Sequence, residues 1–309
     1  MIRHAARDRP GRTAIGILAV LLCSAGTAHA QQLEPRAYAP APIGLNFVGG
    51  GLLYSTGGVV TDPSLPIDNV QARVYAVPPY YGRTFGLIGR LASVSATVPY
   101  AWAHVTGDVQ DVSRSVNRSG LADASFRFGV NLLGCPALTP RELAARKRGT
   151  TMGASISVSV PIGEYDGTKL INLGTNRWAY KPELGLTQPL LRDWILELYA
   201  GVWLYGTNDD FYGGNVRKQD PLATFQTHVV YSINPAAWVA ANFTYYHGGS
   251  TTVGGLPQND RQNNTRGGVT LSLPCGKTQS LRLTWAQGVS TRVGSSFQTF
   301  GVGWQFRWL

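Results

Sequence analysis

From residue 43 onward the chain alternates. Large apolar residues recur at every second position, with small or polar residues between them. The last segment shows it best: Phe300, Val302, Trp304, Phe306 and Trp308 are separated by Gly301, Gly303, Gln305 and Arg307. Side chains of a strand point alternately to opposite faces, so each such segment has one apolar and one polar face. Two more segments read as cleanly. Ala122, Ala124, Phe126, Phe128 and Val130 alternate with Asp123, Ser125, Arg127, Gly129 and Asn131. Ile156, Val158, Val160 and Ile162 alternate with Ser155, Ser157 and Ser159. The pattern predicts twelve strands, near 43–57, 70–83, 91–105, 121–133, 150–162, 178–190, 193–206, 221–233, 237–248, 264–274, 279–289 and 300–309.

The connections alternate too. Long polar links at 106–120, 163–177, 207–220 and 249–263 follow odd strands, and short ones such as Ile233-Asn234-Pro235 follow even strands. Short inner turns, long outer loops and an even strand number define a closed antiparallel transmembrane β-barrel, so the fold class expected is all-β. One inner link differs. Thr139-Pro140-Arg141-Glu142 is a capping box with proline in the first turn, which predicts a short basic helix running to Arg148. It lies on the periplasmic side or folds into the lumen as a partial plug.

Composition sharpens this picture. Charged residues make up only 14% of the chain, against roughly a quarter in soluble domains, as befits a surface that faces lipid. Residues 1–30 read as a signal peptide: Arg3, Arg7, Arg9 and Arg12, an apolar run from Ala14 to Leu22, then Ala28-His29-Ala30 as cleavage site. Residues 31–42, with Pro35, Pro40 and Pro42, form an extended lead-in, and 43–309 the barrel. The net charge is +10, of which the signal region contributes four Arg and one Asp. Export removes nucleic acid as partner. Outer-membrane lipid and lipopolysaccharide, the barrel assembly machinery and a small-molecule solute are the partners expected.

With polar faces turned inward, the lumen is expected to hold Arg73, Tyr75, Asp123, Arg127, Lys181, Glu183, Glu197, Tyr199, Trp203, His228, Arg266, Arg282 and Arg307. Charges inside a membrane protein line water or pair with one another. Two uses stay open: an ion-pair network that stiffens the barrel, or a basic path for small anions with aromatic rings as guides. Tryptophans such as Trp102, Trp178, Trp194, Trp238 and Trp308 fall near strand ends, where interfacial girdles lie. Cys135 and Cys275 are placed on nearly opposite walls, too far apart for a disulfide. No Ser–His spacing stands out for a nucleophile, no Cys/His spacing for a metal and no glycine loop for a phosphate, so neither catalytic residues nor a cofactor are expected.

Several stretches carry a family likeness: Leu170-Ile171-Asn172-Leu173-Gly174-Thr175-Asn176-Arg177-Trp178, Tyr199-Ala200-Gly201-Val202-Trp203, Asn208-Asp209-Asp210-Phe211-Tyr212-Gly213-Gly214 and the closing strand. In these the chain resembles the MetA-pathway of phenol degradation family of outer-membrane proteins. The resemblance implies an outer-membrane barrel linked to passage of small, often aromatic, compounds, and transfers no catalytic residues. The function expected is a passive channel for small solutes, aromatic compounds or their carboxylates among them. The alternatives are a closed structural or surface-interaction barrel and, behind it, a lipid-modifying enzyme.

Overall fold

A computed structural model describes residues 34–60, 67–109 and 112–309. The signal region lies outside the described residues.

The chain opens into β1 (Asn46–Val60), β2 (Ile67–Val77), β3 (Tyr80–Leu87) and β4 (Arg90–Thr97). There follow β5 (Tyr100–Val109), β6 (Val112–Leu121), β7 (Ala124–Leu133), helix α1 (Pro140–Ala145) and β8 (Thr151–Val160). Next come β9 (Ala179–Pro189), β10 (Trp194–Tyr205), β11 (Asn208–Phe211), β12 (Asn215–Gln219) and β13 (Leu222–Ser232). The chain ends with β14 (Trp238–Gly248), β15 (Thr251–Val253), β16 (Leu256–Pro257), β17 (Gln262–Cys275), β18 (Gln279–Ser290) and β19 (Gly294–Trp308).

Fifteen of these segments form one antiparallel sheet, and β19 pairs back onto β1 to close it. Three pairs of segments are halves of single wall strands, so the wall has twelve. The twelve-strand reading of the alternation is borne out. The halves are β2 with β3, β4 with β5 and β6 with β7, interrupted at Pro78-Pro79, Val98-Pro99 and Ala122-Asp123. Proline lacks the N–H that a ladder needs, so the first two breaks follow directly from sequence. Residues 112–121, placed in a loop by their polarity, are instead the outer half of a wall strand. Above the break β6 pairs with β5, and on its other side β8 reaches only β7 and β9. Loop 161–178 covers that edge: Glu164 N–H donates to Leu121 O at 2.8 Å and Arg118 Nε to Ile171 O at 2.8 Å.

The outer surface carries exposed apolar side chains on strand after strand. Leu52, Val94, Phe126, Ile156, Leu184, Leu198, Phe225, Phe243, Val269, Leu283 and Val302 form a continuous belt. A soluble monomer does not expose an apolar band all round its circumference. The inward positions between them, such as Ser155, Ser157, Glu197, Thr244 and Thr270, are buried and polar. Apolar outside and polar inside is the order a barrel takes in lipid. No helix among the described residues is long and apolar enough to cross a membrane.

The other links beyond the wall carry structure. A small sheet of β11, β12, β15 and β16 extends the outer hairpins over the mouth, where Phe211, Val253 and Val293 pack together. On the inner side α1 has the expected cap, with Thr139 and Glu142 bonded reciprocally, and buries none of its residues. It does not plug the barrel. Cys135 is buried and Cys275 exposed, both as free thiols.

Candidate functional site

The lumen is occupied by the segment before β1. The lead-in, residues 31–42, was expected to be extended and without a core, yet Tyr38 is only 3% exposed. Its hydroxyl lies 2.9 Å from Ser155 Oγ and donates to Glu183 Oε1 at 3.1 Å, while its ring meets Tyr199 edge-on at 5.1 Å. Room for the ring comes from two glycines, Gly153 and Gly185, which face each other across β8 and β9. A Cβ at either would run into that ring. The backbone N–H of Arg36 donates to Glu197 Oε2 at 2.7 Å, and Asn131 Nδ2 to Tyr38 O at 3.4 Å. Lower down, Gly44 N–H donates to Thr84 O and Leu45 N–H to Thr84 Oγ1, each at 3.0 Å, which ties the segment to the periplasmic end.

Around it lies a compact charge network. Glu183, on β9, receives Lys181 Nζ at 3.1 Å, Arg127 Nη2 at 3.4 Å and Gln226 Nε2 at 3.3 Å. Arg127 also reaches Glu34 at 3.8 Å and stands over the Tyr38 ring at 5.0 Å. Glu197 is fully buried beside it, and His228, equally buried, bonds Asn242 Oδ1 through Nδ1 at 2.7 Å and packs on Tyr199 at 5.1 Å. An unpaired charge here would be costly, so each carboxylate is surrounded by donors.

Ten of the thirteen anticipated residues face inward: Arg127, Lys181, Glu183, Glu197, Tyr199, Trp203, His228, Arg266, Arg282 and Arg307. The first seven gather on the wall from β7 to β13. Arg266, bonded to Thr299 Oγ1 at 2.7 Å, and Arg282, over the Trp238 ring at 5.7 Å, stand on the opposite wall. Trp238 is therefore inside the barrel and not in a girdle. Three residues are placed elsewhere. Arg73 and Tyr75 project from the outside of β2, because their neighbours along the strand, Ala72, Val74 and Ala76, take the inward positions. Asp123 sits at the break between β6 and β7, where it holds Gly163 N at 3.0 Å, Thr175 N at 2.9 Å and Thr175 Oγ1 at 2.6 Å. It clasps both ends of loop 161–178.

The inverted face of β2 has a physical cause. Loop 161–178 crosses the mouth and buries Ile171 among Val59, Val70, Ala72, Val105 and Phe297, with Leu170 against them. The outer half of the lumen is thus apolar on that side, and polar residues of β2 point out above the lipid belt. A second inward cluster, Ala179, Trp203, Leu222 and Tyr246, continues this apolar lining around the mouth. Two small cavities of about 180 Å³ each lie in the lumen, and the second is lined by the N-terminal segment. One lies against Gly51, Gly301, Gly303, Arg282 and Tyr80, and the other between Ala37, Tyr38, Arg127 and Asn131.

Sequence reasoning missed Glu34, Arg36 and Tyr38. Their signal was the pair Gly153 and Gly185 on the polar faces of adjacent strands, a gap that something had to fill.

A closed twelve-stranded wall with a lipid-facing belt and a narrowed polar lumen defines a bacterial outer-membrane β-barrel. Residues 57–306 match the family model described as MetA-pathway of phenol degradation, and the chain belongs to that family. Among solved structures it is similar to the COG4313 outer membrane channel from Pseudomonas putida F1. That pair shares a TM-score of 0.76 and 18% identity, covering 90% of this chain and 100% of that one. The β domain of the Bordetella autotransporter BrkA is similar at a TM-score of 0.54 and 12% identity, covering 86% and 100%. No curated protein matches by sequence.

Proposed function

We propose that this barrel is a narrow passive channel for small organic solutes, with aromatic compounds and their carboxylates as the natural cargo. The observation that carries the reading is the order of linings along the lumen. A packed apolar layer with Trp203 and Tyr246 at the outer end leads to a level where cationic groups stand beside ring faces. There Lys181 Nζ lies 5.5 Å from the Trp203 ring centre, and Arg127 lies over Tyr38. A flat ring with one carboxylate meets matching surface at each stage: apolar contact, then a cation for its charge. The family description, phenol degradation, agrees with such cargo. In this reading the barrel is a conduit rather than a catalyst.

Single-channel recording of the refolded barrel across a salt gradient, followed by added benzoate, is the test. Discrete steps with anion preference, interrupted by benzoate, are expected. A folded barrel that is silent in both conditions overturns the proposal. It would favour the second reading, a closed barrel acting through its outer loops, which rests on the covering of lumen and mouth by residues 34–44 and 161–178.

A further inference from the structure

On the outside of the wall, at the outer end of β14 and β17, four polar side chains form a chain of contacts that the lumen does not use. Arg261 Nη2 lies 2.5 Å from His247 Nε2, and His247 Nδ1 lies 3.2 Å from the Tyr245 hydroxyl. That hydroxyl donates to Asn263 Oδ1 at 2.6 Å. Chemistry fixes the direction. A guanidinium only donates, so His247 accepts at Nε2 and donates from Nδ1 to the tyrosine oxygen, whose own proton goes to Asn263. Every member has its partner, and Arg261 is held in place with further N–H groups to spare.

A second guanidinium is tied alongside. Arg292 Nη1 donates to the backbone oxygen of Arg261 at 2.5 Å and Nη2 to Asn259 Oδ1 at 2.7 Å. Both arginines are exposed, and among the described residues no carboxylate pairs with either. Asp260, beside Arg261 in sequence, is turned away. Its carboxylate is spent on Thr251, at 2.8 Å to the backbone nitrogen and 2.6 Å to Oγ1.

Height on the wall indicates the ligand. His247 and Asn263 are register partners on the outward face, one position from the strand ends. Below them on the same face come Tyr245 and then Phe243 and Phe225, which are 44% and 53% exposed and belong to the lipid belt. The two guanidiniums therefore stand where acyl chains end and headgroups begin. In the outer leaflet of this membrane those headgroups are phosphorylated sugars. Guanidinium forks match phosphate oxygens in geometry as well as charge. We propose that Arg261 and Arg292, oriented by His247, Tyr245, Asn263 and Asn259, bind a phosphate of the outer-leaflet glycolipid, lipid A.

The test is native mass spectrometry of the refolded full barrel after incubation with bisphosphorylated lipid A or its dephosphorylated form. Each variant is first checked for the heat-modifiable band of a folded barrel. Wild type is expected to retain the phosphorylated lipid about tenfold better than the dephosphorylated one, as charge-assisted contacts allow. Arg261→Gln and Arg292→Gln should each abolish that preference, and both lie in exposed outer segments that the wall does not need. Lys277→Gln, on an inner turn, removes the same charge and should keep it. Unchanged retention in both arginine variants overturns the site, and so does an equal loss in Lys277→Gln. Displacement by inorganic phosphate as effective as by free lipid A would make this a free-anion site and overturn the glycolipid assignment.

Discussion

Single side chains decide how tightly the lumen is filled. Tyr38 holds residues 34–44 in place through one aromatic contact and bonds to Ser155 and Glu183. Tyr38→Ala deletes all three, at a cost of about 3 kcal/mol to the seating of the segment. The mean conductance of single channels should rise while the folded band on gels stays as it is. An unaltered conductance would show that this segment does not set the bore. Gly153→Val should act the same way from the wall side, since its methyl groups take the space of the ring. Asp123 works at the same scale on the outer loop. Asp123→Ala strips three bonds from a nearly buried site, and a loss of about 3 kcal/mol in loop anchoring is expected. Limited proteolysis should then cut within 161–178 under conditions where wild type resists.

At the scale of elements, the alternation of residues gave strand positions well and strand faces less well. Most of the wall strands follow one rule, apolar outward and polar inward, because lipid lies outside and water or polar groups inside. The outer half of β2 breaks the rule because neither condition holds there. Its inward neighbours are Val59, Ile171 and Phe297, and its outward side stands above the belt, where Arg73 is at home. Period is a property of the backbone and can be read locally, whereas face depends on what fills the space, here a loop about a hundred residues away. For the same reason polar residues 112–121 looked like a loop. Loop 161–178 also has its own chemistry. Lys169 first, and then Thr168 through backbone and hydroxyl, hold the Asp166 carboxyl well below the usual aspartate range. A depressed carboxylate contributes stability that is complete above its unfolded value and disappears as pH falls through the folded one. The protection of the Thr168 and Lys169 amides, relative to the unstructured chain at the same pH, should therefore be complete at neutral pH and be lost only as the carboxyl protonates in acid. Asp166→Asn should remove that dependence.

For the whole molecule, the charge balance of the lumen sets what can pass. Glu34, Glu183 and Glu197 stand among Arg127 and Lys181 on the near wall, while Arg266, Arg282 and Arg307 line the far wall. Arg127→Ser tips the near wall toward negative. Anion preference should fall, seen as a shift of the reversal potential toward the cation side, and the bond to Glu34 is lost as well. A reversal potential equal to wild type would take Arg127 out of the path. The twelve-strand closed wall was legible from sequence because it repeats a local rule twelve times. The occupant of the lumen was not, because Tyr38 meets Glu183 and Ser155 across more than a hundred residues and leaves no local period.

The seam between β1 and β19 carries one more consequence, for the order of events in folding. Asn46 pairs with Trp308 and Val60 with Gly294, so the ring closes through contacts between the two extremes of the barrel sequence. Such a closure carries the largest chain-entropy cost of any pairing in the wall and comes last. Residues 34–44 run directly into β1, the first side of that seam. The segment that narrows the finished channel is thereby carried to the closing point by the strand that completes the circle, and assembly and sealing become two results of the same final step.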